Sequence, residues 1–168
     1  MLEGFVSALS KVFGNKHDRD VKEIQPVIDN ILEIEKSLAL ISDDELRGKT
    51  AEFKKRIQDK IGENENKKKE LKSKVEADEA LPVKEKEEIY VEVDKLEKEI
   101  LADITAELQD ILPEAFAVMR ETARRFKEKD SLEVTATEWD KKRSADFKHI
   151  KIEGNKAFWK STWSVRGH

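Results

Sequence analysis

The chain has 168 residues, enough for one domain or one compact unit with an extended appendage, and 42% of them are charged against 38% hydrophobic. So large a charged share favours long solvated helices over a thick globule, and the net charge of -4 excludes a globally basic nucleic-acid binder. There is no cysteine, which excludes a disulfide framework and a thiolate metal site and makes a cytosolic chain the default.

Leu2, Phe5, Val6, Leu9, Val12 and Phe13 recur at helical spacing, and Gly14-Asn15 supplies a stop, so a short amphipathic helix is expected. The start lacks the basic residues, long apolar stretch and small-residue cleavage site of a signal peptide. With Lys11 and Lys16 nearby, the stripe can lie in a membrane interface, or it can dock on the chain's own core. Glu3 and the short length weaken attraction to anionic lipid, so the pattern alone favours docking. A second helical pattern begins near Asp18 and carries Val21, Ile24, Val27, Ile28, Ile31, Leu32 and Ile34. Apolar residues fill about half its circumference, which predicts core, and Pro26 predicts a kink or a restart.

Ser42 followed by Glu45 reads as a capping box, so a helix starts near Asp43 and carries Leu46, Phe53, Ile57 and Ile61 up to Gly62. Residues 63–79 are so polar that helix and disorder are both open; only Leu71, Val75 and Ala77 remain to be buried. After Pro82, Ile89, Val93, Leu96, Ile100, Ile104, Leu108 and Ile111 alternate spacings of three and four, a narrow seam on a long helix. Residues 67–80 folding back on 83–102 would make an antiparallel helical hairpin turning at Leu81-Pro82. Pro113 then suits the first turn of a further helix reaching Phe126.

Past Lys129 the period becomes alternating. Leu132, Val134 and Ala136 form one stripe, Ile150 and Ile152 a second, and Trp159, Trp163 and Val165 a third, with Gly154-Asn155 as a hairpin turn. A small three-stranded antiparallel sheet is expected, with at least one tryptophan at a helix interface or half-exposed rim where its indole N–H finds a partner. The fold class is therefore mainly α with a small C-terminal antiparallel β-sheet and a long helical hairpin insertion.

Chemistry-bearing motifs are sparse. Gly48-Lys49-Thr50 looks like the end of a phosphate loop, but the pattern needs glycine where Asp43 stands and a strand where a capping box starts a helix. Gly48 then reads as a point of close helix packing. His17, His149 and His168 are each alone, without a second ligand at metal spacing. No nucleophile motif or acid–base pair in a pocket is visible, so no catalytic, cofactor-binding or metal-ligating residue is assigned. Residues 76–110 hold thirteen acidic residues against four basic, whereas residues 141–168 hold eight Lys or Arg against Asp146 and Glu153. The basic tail, with Lys156, Phe158, Trp159, Lys160 and Trp163, can stack bases in principle, but in an alternating strand those aromatics are more simply a packed sheet face.

Two long strings, Ser42-Asp43-Asp44-Glu45-Leu46-Arg47-Gly48-Lys49-Thr50-Ala51-Glu52-Phe53 and Leu112-Pro113-Glu114-Ala115-Phe116-Ala117-Val118-Met119-Arg120-Glu121-Thr122-Ala123-Arg124-Arg125, resemble the SecA family of ATP-driven preprotein translocases. Lys11-Val12-Phe13-Gly14 with Asp18-Arg19 is similar to the family's start. The resemblance implies residues 1–62 as helices opening the first nucleotide-binding domain, 63–111 as a charged hairpin insertion, 112–129 as a helix of that domain and 130–168 as an inserted sheet. It implies an N-terminal fragment that supplies scaffold and membrane or channel contact through Leu2, Phe5, Val6, Leu9, Lys11, Val12 and Phe13, and that stops before the glutamine motif and the phosphate loop. ATP and Mg2+ then belong to the full-length protein, with none expected in the fragment. The implied partners are the Sec channel, acidic phospholipid and secretory preproteins, with no nucleic acid and with self-association open. The implied place is the cytoplasm, peripheral on the inner face of the cell membrane. The alternative is a stand-alone, non-enzymatic helical interaction module.

Overall fold

The computed structural model describes residues 16–78 and 80–162. In chain order these form α1 (Lys16–Leu38), α2 (Asp43–Ala77), α3 (Val83–Glu128), β1 (Ser131–Thr135), α4 (Glu138–Asp146), β2 (Ile150–Glu153) and β3 (Lys156–Lys160). The chain divides into two compact units, one of Met1–Ile41 with Pro113–His168 and the other Ser42–Leu112. The expected helix over residues 2–13 lies outside the described residues.

The Ser42–Leu112 unit is the hairpin. Its entry is the expected capping box: Glu45 N donates to Ser42 Oγ at 3.1 Å and Ser42 N donates to Glu45 Oε2 at 2.7 Å. Those bonds, the backbone one foremost, hold the Glu45 carboxyl below its ordinary range. The polar stretch past Gly62 is helical through to Ala77; Ile61 and Val75 are buried and Leu71, four residues before Val75, is half-covered, between charged flanks. Asp78 closes the turn, accepting from Ala80 N at 3.0 Å on its side chain and from Leu81 N at 3.2 Å on its carbonyl.

On α3, Val93, Leu96, Ile100 and Ile111 are buried as the seam predicts. Leu108 is not; it is 48% exposed. The seam passes instead through Glu107, whose carboxylate meets Arg56 Nη2 at 2.8 Å, so an ion pair stands where an apolar contact was expected. Lys67–Glu92 and Lys72–Glu97 add exposed pairs at 3.0 and 2.9 Å.

Neither Pro26 nor Pro113 opens a new helix. Pro26 lies inside a continuous α1, where the exposed backbone lets water satisfy the carbonyl that loses its partner. Pro113 lies inside α3 and does not open a new helix; the helix runs 46 residues through it.

In the other unit, β1, β3 and β2 form an antiparallel sheet in that spatial order. Leu132 faces Trp159, which faces Ile150, and Val134 faces Ala157, which faces Ile152, so one side of the sheet is apolar. Gly154, at φ +62°, makes the two-residue turn with Asn155 that returns β2 into β3. Ala136, expected to end β1, lies just past it and donates its N–H to Asn155 O at 2.8 Å. Trp163 and Val165 lie outside the described residues. Between β1 and β2 the alternating reading fails: residues 138–146 are helix, packed on β2 and started by a second capping box from Thr137 and Asp140.

Candidate functional site

The residues expected to touch membrane or channel, Leu2, Phe5, Val6, Leu9, Lys11, Val12 and Phe13, lie outside the described residues. The helix that follows them carries the clearest surface feature of its unit. Val21, Ile24, Val27, Ile28 and Leu32 on α1 are 37%, 52%, 39%, 37% and 42% exposed, so the segment expected to be core shows an apolar face to solvent. Leu38, at its last turn, is buried.

That last turn is held by a cluster of charges from α3. Arg125, 4% exposed, donates from Nη2 to Leu38 O at 2.8 Å and to Ile41 O at 2.7 Å, and from Nε to Glu121 Oε1 at 2.7 Å. Arg124 grips both oxygens of Glu121, Nε to Oε2 and Nη2 to Oε1, each at 2.7 Å, and also pairs with Glu128. Arg120 Nε meets Glu35 Oε2 at 2.9 Å. The spacing explains the clustering: Glu121, Arg124 and Arg125 stand three and four residues apart, on one face of α3. The bonds from Arg124 chiefly, then those from Arg125, hold the fully buried Glu121 carboxyl below its ordinary range against the cost of its burial. A guanidinium donating to the last carbonyl of α1, that of Leu38, also opposes the negative end of that helix. Chemically this is a clamp, since its members are satisfied by one another and no buried side-chain polar atom among the described residues lacks a partner.

A second cluster sits where α4 covers the sheet. Trp139 and Trp159 stack at 5.5 Å with 11° between planes, and Arg143 lies 5.4 Å from the Trp139 ring and 5.7 Å from Phe147. Trp159 Nε1 donates to Asp140 Oδ1 at 3.2 Å, the helix partner foreseen for a tryptophan. Asp140, wholly buried, also accepts from Thr137 N and Oγ1 at 2.8 and 2.7 Å, so one carboxylate caps α4 and anchors it to β3. The Thr137-x-x-Asp140 spacing was the missed signal for this helix. His149 packs between Phe147 and Trp159.

Gly48-Lys49-Thr50 lies inside α2, where its amides serve the helix, and Lys49 Nζ pairs with Glu52 at 2.8 Å; the segment does not fit a phosphate. Nor does Gly48 mark close packing: a Cβ added there meets nothing within 4 Å. Among the described residues no group of three or more His, Cys, Asp or Glu is placed to hold a metal ion. Among them, too, no helix is long and apolar enough to cross a membrane.

Residues 9–137 match the SecA DEAD-like domain family, a span that takes in both long strings and the whole hairpin. The chain belongs to the SecA family. It is 43% identical over 166 residues to protein translocase subunit SecA of Phocaeicola vulgatus, which covers 98% of this chain and 15% of that one. SecA of Amoebophilus asiaticus is 43% identical over 164 residues, covering 95% of this chain and 14% of its own length. SecA of Flavobacterium psychrophilum is 43% identical over 164 residues, covering 97% and 14%. The chain thus spans about 15% of the length of these SecA relatives. No solved structure matches it. The matched span is nearly the whole chain, so it takes in the residues of the hairpin and of the sheet along with the two strings.

Proposed function

We propose that this chain is an N-terminal part of an ATP-driven preprotein translocase motor, whose longer parent moves unfolded secretory proteins through the Sec membrane channel. The observation that carries the reading is the 43% identity over 166 residues to a protein translocase subunit, of which the chain spans 15%. In this reading the chain contributes scaffold: the clamp of Glu121, Arg124 and Arg125 fixes α1 to α3. Residues 2–13 contribute contact with acidic phospholipid and the channel, which places the protein in the cytoplasm, peripheral on the inner membrane face. ATP and Mg2+ act in parts of the parent outside this chain, a division supported by the helical setting of Gly48-Lys49-Thr50.

The reading frame beyond the codon for His168 tests this. It is expected to continue through a glutamine motif and a G-x-x-x-x-G-K-[ST] loop. A frame that ends there sinks the motor reading and leaves a stand-alone helical interaction module. The 168-residue chain alone is expected to hydrolyse ATP no faster than background, and a magnesium-dependent turnover would overturn the division of labour.

A further inference from the structure

We infer that the Ser42–Leu112 unit presents a second coiled-coil seam on the outer side of α3, and that it receives an antiparallel partner helix, apolar in its first half and basic in its second. The inference is independent of the motor reading.

The inner seam of α3 leaves Leu108 outside, and Leu108 is in register with another line. Glu87, Val91, Asp94, Lys98, Leu101, Thr105, Leu108 and Leu112 alternate spacings of four and three, and all eight are exposed. That is the rhythm of a coiled-coil seam. Holes of the matching kind lie along it. Lys98, Leu101, Ala102 and Thr105 stand at i, i+3, i+4 and i+7, as do Ala102, Thr105, Ala106 and Gln109, and the six line one shallow, mostly apolar hollow. A knob from a partner helix enters such a four-residue hole, and the two alanines leave room for a leucine. The occupant is therefore a helix with apolar anchors three and four residues apart.

Charge selects among helices. Residues 83–112 carry ten acidic residues against four basic. Glu92, Glu97 and Glu107 meet Lys67, Lys72 and Arg56 within the hairpin, whereas Glu87 and Asp94 stand on the outer line itself. A second copy of α3 laid parallel along the full line sets acid against acid; laid antiparallel, it sets Glu87 against Leu112 and Asp94 against Thr105. Lysine or arginine at those places answers the carboxylates instead. The acid lies at the N-terminal end of the line and Leu101, Leu108 and Leu112 at the other. An antiparallel partner thus carries its apolar anchors first and its cations last, where they also oppose the negative end of its own dipole. From Glu87 to Leu112 the line is about 38 Å long at the helical rise, so roughly three and a half heptads of partner cover it.

The test uses the 168-residue chain and a fluorescent helical peptide of about 25 residues, with leucine at the a and d positions of its first half and lysine at those of its second. Binding is read by anisotropy. Saturable binding is expected, and the double variant Leu101→Gln with Leu108→Gln is expected to weaken it at least about tenfold. Both positions are exposed, so the variant's dichroism and melt are expected to match those of the unaltered chain. Glutamate in place of the peptide's lysines, or the lysine half placed first, is expected to weaken binding by at least about tenfold as well. No binding, or equal affinity for the double variant, overturns the seam. Equal affinity for the glutamate peptide overturns the basic partner, and equal affinity for the reordered peptide overturns the antiparallel placement. An unaltered chain that sediments as a dimer while the double variant sediments as a monomer overturns the assignment too, by placing a second copy on the face.

Discussion

Arg125 joins two jobs that usually fall to different residues: it neutralises a buried carboxylate, and it donates to the last carbonyl of α1 and to that of Ile41 just beyond. Arg125→Ala leaves Glu121 buried with Arg124 alone and removes a guanidinium donor from Leu38 O, which keeps its turn bond from Ile41 N, and from Ile41 O, so a loss of about 3 to 5 kcal/mol is expected in urea unfolding. The same cluster sets an acid limit. The Glu121 carboxyl is held below its ordinary range in the folded state, so its contribution is fully present above the unfolded carboxylate value of about 4.3 and is lost as pH falls through the folded value. The urea midpoint is therefore expected to drop as pH is lowered below about 4, and Glu121→Gln is expected to flatten that dependence. Gly48 makes the opposite case. It is an exposed helix-interior glycine with open space at its Cβ, so Gly48→Ala is expected to stabilise by about 0.5 to 1 kcal/mol, raising the thermal midpoint.

At the scale of elements, what could be read in advance depended on whether the signal was local. The Ser42–Glu45 box, the Gly154 turn and the narrow seam of α3 are set by near neighbours along the chain, and they stand in the structure with Leu108 of the seam excepted. The exposure of α1 and the passage of the seam through Glu107 depend on which other helix arrives, and spacing within one helix does not contain that. Leu108 and Glu107 are adjacent in sequence, and only the placement of Arg56 across the hairpin decides which faces inward. The clamp was hidden differently: Glu121, Arg124 and Arg125 look like a solvated helix face, and the burial of Glu121 and Arg125 follows from a carbonyl donor need at Leu38 that charge counting cannot register. Helix α4 was readable, since Thr137 and Asp140 carry the same box that marks α2, but its nine residues were absorbed into an alternating pattern. Asp140→Asn keeps the shape and weakens three accepted bonds. It is expected to cost about 1 to 3 kcal/mol and to reduce the near-ultraviolet dichroism of the Trp139–Trp159 stack.

For the molecule as a whole, the division at Ile41 and Pro113 means that the clamp and the sheet belong to one unit while residues 42–112 carry their own seam. Removing residues 67–102 takes away most of the apolar seam but none of Glu121, Arg125, Leu132, Val134 or Ile150. The shortened chain is expected to keep a cooperative melt with the Trp139–Trp159 signal; its loss would show that the remaining core depends on the hairpin.

The length of the clamp's loop also orders the protein's birth. Arg125 reaches back 87 residues to Leu38, and everything in the hairpin is synthesised between them. At about 5 to 20 residues per second a ribosome needs roughly 4 to 17 s to deliver that guanidinium after α1 has emerged. Through that interval the end of α1 holds only its own turn bonds, and the hairpin, whose partners are nearer along the chain, can close before the helix that precedes it is secured.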